Sequence, residues 1–217
     1  MYRLLILVAL IFFVWTDSNE HTLGELSNEE IMTAYEMCAA QTLDIEKGFV
    51  DNPNDAGGAT NFGVSLRFLK RLVDIDKDGY VDGDIDRDGD VDVDDIKKLT
   101  LPDVYRIMKT YFWDELPITA DESVPIKIRW KMFDIAINCS PIRAIKLLQQ
   151  ALGVDADGVW GIMSWKALKT TPEERILCAL SQRLMKYYSQ CVANKPTNLP
   201  FLVGWTDRAF TQFKAQS

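Results

Sequence analysis

The sequence predicts a mainly α-helical fold interrupted by one long acidic loop, and three observations predict it. Apolar residues recur at three- and four-residue spacing in segment after segment. No run alternates apolar and polar residues as a half-buried strand would. The gaps between periodic segments are filled by Gly, Asn, Asp and Pro. With 217 residues, 47% of them apolar, and six tryptophans, the chain can bury a sizeable core.

The elements follow in order. Arg3 precedes an unbroken apolar run, Leu4–Val14, extended by Trp15. It is shorter than the ~20 residues of a spanning helix and suits the apolar region of an export signal. Residues 1–16 are therefore expected to be an export signal or an uncleaved signal anchor. Ser27 and Glu30 have the spacing of a capping box. Ile31, Ala34, Tyr35, Cys38 and Ala39 then predict a helix to about Leu43. A Gly/Asn/Asp/Pro-rich loop, Gly48–Gly63, separates it from a second predicted helix over Val64–Val73. Helices are also predicted over Asp94–Leu99 and Leu101–Trp113, with Thr100 and Pro102 marking a restart. Pro125–Asn138, Pro141–Leu152, Ser164–Thr170 and Pro172–Gln190 complete the helical set.

The charge is local. Asp74–Asp95 contains eleven Asp against Lys77 and Arg87, a net −9, whereas the whole chain carries −8, which leaves about +1 elsewhere. Such an imbalance speaks for a bound cation. Calcium takes six to eight oxygens, which a twelve-residue loop supplies from positions 1, 3, 5, 7, 9 and 12 around a Gly at 6. From Asp84 the fit is complete: Asp84, Asp86, Asp88, Gly89, Asp90, Asp92 and Asp95. From Asp74 the loop offers Asp74, Asp76, Asp78, Gly79, Tyr80 and Asp82, but its twelfth position is Ile85. Residues 74–95 are thus expected to be a structural calcium insert, its ligands drawn from both loops, with the first loop incomplete. The pair resembles the calcium repeats of dockerin modules.

Glu46 stands where the first predicted helix ends, under the loop "GFVDNPNDAGGATNFGV". A carboxyl there suits a general acid, because partial burial raises its pKa toward neutrality. Asp55 and Thr60 follow nine and fourteen residues on, and glycoside hydrolysis employs two carboxyls. His21, the only histidine, lies beside the export segment. Zinc amidases need histidine ligands and Cys-His peptidases a histidine base, so carboxylate chemistry is left. Cys38, Cys139, Cys178 and Cys191 show no CxxC spacing, which disfavours a zinc site and leaves both bridges and free thiols open. Cys178 and Cys191 cannot pair if the helix between them is intact.

"EKGFVDNPNDAGGATNFGV", "YFWDEL", "FDIAINCSPIRAIKLLQQALGVDADGVWGIMSWKAL" and "GWTDRAF" closely resemble glycoside hydrolase family 108, the N-acetylmuramidases of phage endolysins and bacterial secretion activators. The resemblance runs from about Ile31 to Phe210. It implies a lysozyme-like helical fold, Glu46 as catalytic acid, and Asp55 and Thr60 as its companions. Three departures stand out: Lys47 and Cys139 replace usual glycines, and Thr60 lies one position closer than in phage-type lysozymes. "LLQQALG" and "DGVWG" further resemble a peptidoglycan-binding repeat.

The expected organisation is a lysozyme-like catalytic region over 27–138, holding the calcium insert, and a peptidoglycan-binding-like helical region over 139–217. The expected activity is hydrolysis of the β-1,4 bond between N-acetylmuramic acid and N-acetylglucosamine. A lytic transglycosylase and a non-catalytic calcium-dependent wall-binding module are the alternatives. The expected partners are bacterial peptidoglycan and, transiently, the inner membrane, with no nucleic acid. A monomer exported to the periplasm is the expected state.

Overall fold

The computed structural model describes residues 32–45, 49 and 58–214. The apolar start, the Ser27 capping box, Glu46 and Asp55 lie outside the described residues. A helix, α1 (Ala34–Ile45), opens the described chain. The Glu36 carboxylate accepts from the Thr33 backbone N–H at 2.7 Å and its hydroxyl at 2.8 Å, which fixes the helix start. Tyr35, Cys38, Ala39 and Thr42 are buried, the i, i+3, i+4, i+7 stripe of a helix with one face in the core.

The predicted helix over Val64–Val73 is corrected. Val64–Ser65 instead forms strand β2, paired antiparallel with β1 (Thr60–Asn61), Thr60 opposite Ser65. Phe62 (φ 49°) and Gly63 (φ 78°) make the two-residue turn, whose left-handed conformation twists with the strands. Two-residue strands are too short to show alternation in a sequence. Ser65 then caps a single turn, α2 (Leu66–Leu69), accepting from the Phe68 N–H at 3.2 Å. Gly83 packs against its end: a Cβ at Gly83 would lie 2.4 Å from the Leu69 carbonyl oxygen.

Beyond the acidic loops come α3 (Val93–Lys98) and α4 (Leu101–Met108), which continues into a π-helical turn over Lys109–Trp113. Thr100 and Asp103 form a capping box at the restart. Next are α5 (Ile126–Asn138), α6 (Pro141–Leu152), α7 (Ile162–Thr170) and α8 (Glu173–Asn194). A 3₁₀ turn over Pro196–Phe201 leads into α9 (Leu202–Phe210), a helix the periodicity did not single out.

Two apolar clusters share α5. One gathers Tyr35, Cys38, Leu69, Ile96, Ile107, Trp113, Trp130 and Phe133; the other gathers Ile128, Met132, Leu148, Leu180, Leu184 and Tyr188. Residues Ile128–Ala136 of α5 are buried all round, which puts Arg129, Lys131 and Asp134 inside with them. Asp134 and Lys131 are answered by residues 208–211. Arg208 donates to the Asp134 carboxylate at 3.0 Å, and Lys131 donates to the carbonyls of Arg208 (2.7 Å) and Thr211 (3.2 Å). Burial pushes the Lys131 ammonium down to about 8. The segment after α9 then returns to α1: Gln41 donates to the Gln212 carbonyl at 3.0 Å and accepts from the Lys214 N–H at 2.7 Å.

All four cysteines are free thiols, and Cys178 and Cys191 do lie on one unbroken helix, α8. The signal anchor and the inner membrane as a partner are corrected: no helix among the described residues is long and apolar enough to cross a membrane. The apolar run from Leu4 to Trp15 itself lies outside those residues.

Candidate active site and acidic loops

The helix α1 ends at Ile45, so Glu46 follows directly in sequence; neither its side chain nor that of Asp55 is among the described residues. Thr60 opens β1, and its hydroxyl makes a long hydrogen bond, 3.4 Å, to the Gly58 carbonyl. Next to it Asn61 is buried and donates from Nδ2 to the Ile96 carbonyl at 3.0 Å. That bond ties the hairpin holding Thr60 to α3, the helix that closes the acidic segment. Nothing local in the sequence marks Asn61, because its partner is thirty-five residues away.

The acidic segment folds as two loops of one design. In the first, Asp74 accepts from the N–H groups of Asp78 (3.1 Å) and Gly79 (3.0 Å), and Asp76 from Asp78 (3.2 Å). In the second, Asp84 accepts from Asp88 (3.2 Å) and Gly89 (3.0 Å), and Asp86 from Asp88 (3.3 Å). Each loop turns through a left-handed residue at its fourth position, Lys77 (φ 61°) and Arg87 (φ 60°), and a glycine at its sixth, Gly79 (φ 97°) and Gly89 (φ 100°). A side chain is strained at such φ, which is why glycine recurs there.

Three groups of carboxylates converge within 4.8 Å: Asp74, Asp76 and Asp78; Asp84, Asp86 and Asp95; and Asp90, Asp92 and Asp95. Asp88 joins none of them; its Oδ1 accepts from the Asp90 N–H at 3.1 Å. Asp90 clusters with Asp92 and Asp95 and not with Asp84 and Asp86. Tyr80 presents an exposed side chain and donates its N–H to Asp78 at 3.0 Å.

Charge within the segment is only partly answered. Lys98 pairs with Asp86, and that hydrogen bond holds the Asp86 carboxyl below its ordinary range. Repulsion by Asp88, then burial, then Asp92, Asp95 and Asp84 pushes Asp90 up. Arg87 pairs with Asp78 at 2.7 Å across the two loops. Asp82 accepts from the Tyr111 hydroxyl at 2.7 Å and faces Arg106 at 3.7 Å. An all-carboxylate donor set with no Cys or His suits a hard divalent cation and not zinc. Asp84 and Asp95, both buried, fit that requirement best.

Fold and donor chemistry together define a helical protein with a carboxyl-rich site on the loops after α1. Residues 39–139 match the family described as Glycosyl hydrolase 108, and residues 143–210 match one described as Predicted Peptidoglycan domain. A solved structure, "Structure of Brucella abortus SagA", is 27% identical, with a TM-score of 0.63 over 81% of this chain and 88% of that one. No curated protein matches the chain. Residues 39–139 are thus similar to glycosyl hydrolase 108 proteins, and the chain is a glycoside hydrolase of muramidase type with a C-terminal helical region of peptidoglycan-binding character.

Proposed function

We propose that the protein is an exported, periplasmic muramidase that hydrolyses the β-1,4 bond between N-acetylmuramic acid and N-acetylglucosamine. The observation that carries this reading is the match of residues 39–139 to a glycosyl hydrolase family, with Glu46 falling directly after the helix that opens it. Glu46 acts as the acid that protonates the leaving sugar oxygen. Asp55 assists the attacking water, and Thr60 orients it from the hairpin. The fold assigned to this chemistry is lysozyme-like, with residues 27–138 catalytic and 139–217 in contact with the wall.

Calcium belongs to this proposal as a structural ion. Asp84, Asp86 and Asp95 would hold one ion, and Asp74, Asp76 and Asp78 a weaker second. Bound there, the ion would cancel part of the −9 of the segment and favour the folded chain. It supplies no step of the reaction.

The test is digestion of purified peptidoglycan followed by mass spectrometry of the muropeptides. Reducing N-acetylmuramic acid ends are expected. Anhydro ends would assign a transglycosylase, and intact wall a binding module. Glu46→Gln should lower turnover by about 10²- to 10⁴-fold, the contribution of a positioned general acid, with an unchanged circular dichroism spectrum. Substantial activity in that variant would overturn the assignment of Glu46.

A further inference from the structure

The geometry points to a second binding site, for a carboxylate ligand, in a cavity that the proposed cleavage chemistry does not use. The cavity, about 540 Å³, opens beside the first turn of α1 and is walled by Tyr35, Tyr105, Lys109, Trp113, Thr119 and Arg129. That volume falls in the usual range for small-molecule sites. Tyr35 lies ten residues before Ile45, about 15 Å along the helix at 1.5 Å per residue. The cavity is therefore at the opposite end of α1 from Ile45.

Arg129 makes this more than a concave surface. It is only 9% exposed, and its Nη1 donates to the Thr119 carbonyl at 3.3 Å. Its Nε is buried with no hydrogen-bond partner, and among the described residues no carboxylate forms an ion pair with it. The acids nearby in sequence or on the cavity wall are engaged or exposed. Glu36 accepts from Thr33, and Asp121 accepts from the Ser123 N–H at 2.9 Å and hydroxyl at 2.6 Å. Glu122 is exposed. The other cations on the wall are already matched: Lys109 to Asp114 at 2.7 Å, and Arg106 to Asp82 at 3.7 Å. The hydrogen bonds from Ser123 lower the Asp121 carboxyl first, and Arg129 lowers it only at longer range. A buried guanidinium with no anion at contact distance is costly, and the group that best answers its planar fork is a carboxylate. The rings of Tyr35, Tyr105 and Trp113 favour an organic body behind that carboxylate over a bare inorganic ion.

Peptidoglycan carries such groups on its lactyl and peptide substituents, so the choice of probe rests on the wall-hydrolase reading. The ligand chemistry itself does not. The experiment is an NMR titration of the full chain labelled at its indole nitrogens, with the Trp113 signal assigned from Trp113→Phe. The probes are N-acetylmuramic acid, its methyl ester, and D-lactate.

The acid should shift the Trp113 signal and bind roughly tenfold or more tightly than the ester, the ratio one charge-assisted hydrogen bond supplies. Arg129→Gln should abolish the difference. If that variant fails to fold, the acid-against-ester comparison on the unaltered protein decides alone. Equal binding of acid and ester, or no Trp113 shift with the acid at millimolar concentration, would overturn the proposal. D-lactate matching the acid would support a site for small free acids; weaker lactate would support one for the sugar acid. Muropeptide release measured in parallel keeps the two readings separate, because cleavage can persist whether or not this cavity binds.

Discussion

The loops Asp74–Ile85 and Asp84–Asp95 are nearly the same sequence, yet they are differently fastened to the protein. Both make the same turn through the same local hydrogen bonds. They diverge at the twelfth position. In the second loop Asp95 is 1% exposed and accepts from the backbone N–H groups of Ile85 (2.7 Å), Asp86 (3.3 Å) and Asp92 (2.7 Å). The bond from Asp92 is one half of the capping box that starts α3. In the first loop the twelfth residue is Ile85, whose half-buried side chain packs against the apolar cluster around Trp113 and Phe133. The repeat sets the turn. One carboxylate decides whether the turn is closed onto the core or left to water.

Breaking that closure should have the largest effect. Asp95→Ala removes the acceptor of three backbone N–H groups, one of them (Asp92) the reciprocal bond of the helix cap, a loss of about 3 kcal/mol. Urea unfolding in the presence of a chelator would measure it, and the variant should also lose the calcium-dependent rise in melting temperature. A loss below about 1 kcal/mol would mean that water replaces Asp95 at no great cost.

Ile85→Asp sharpens the contrast from the other side, because it gives the first loop the carboxylate it lacks. In chelator it should cost about 1 kcal/mol of apolar burial. In calcium at a hundredfold excess over the dissociation constant it should recover about 2.7 kcal/mol per added site. Titration calorimetry should then show a stronger first-loop site. An unchanged isotherm would show that the first loop cannot close.

Asp74→Ala should be milder, roughly 0.5–1 kcal/mol, because the N–H groups of Asp78 and Gly79 are exposed and can turn to water. The smallest effect belongs to Arg87→Ala. Arg87 pairs with Asp78 and lies 5.4 Å over the Tyr80 ring, but its side chain is 64% exposed. Exposed pairs are worth little, so a change within about 0.5 kcal/mol is expected. Calorimetric melting separates these two variants from Asp95→Ala.

Most of the helices could be read from the sequence. Pro141–Leu152 carries its own boundaries, a proline at the first turn and Gly153 (φ 73°) at the end, and forms over the predicted residues. Asp74–Asp95 likewise announces its turns through spaced aspartates and glycines, because those bonds join residues two to five apart. The stretch Val64–Val73 misled because its apolar spacing suits a helix. Its first two residues pair instead with Thr60–Asn61, a contact the spacing does not show.

By itself, then, the sequence determined what local chemistry can determine: helix starts and stops, the acidic turns, and a Glu directly after α1. Only the tertiary structure decided which of these meet. It set Asn61 against Ile96, and it closed one acidic loop through Asp95 while leaving Ile85 in the other. It brought Gln212 and Lys214 back to Gln41 and left the buried Arg129 guanidinium at a cavity with, among the described residues, no carboxylate paired to it. The physical reason is range. A cap or a turn is satisfied within a few residues, but a buried charge or amide must find its partner wherever the folded chain brings one.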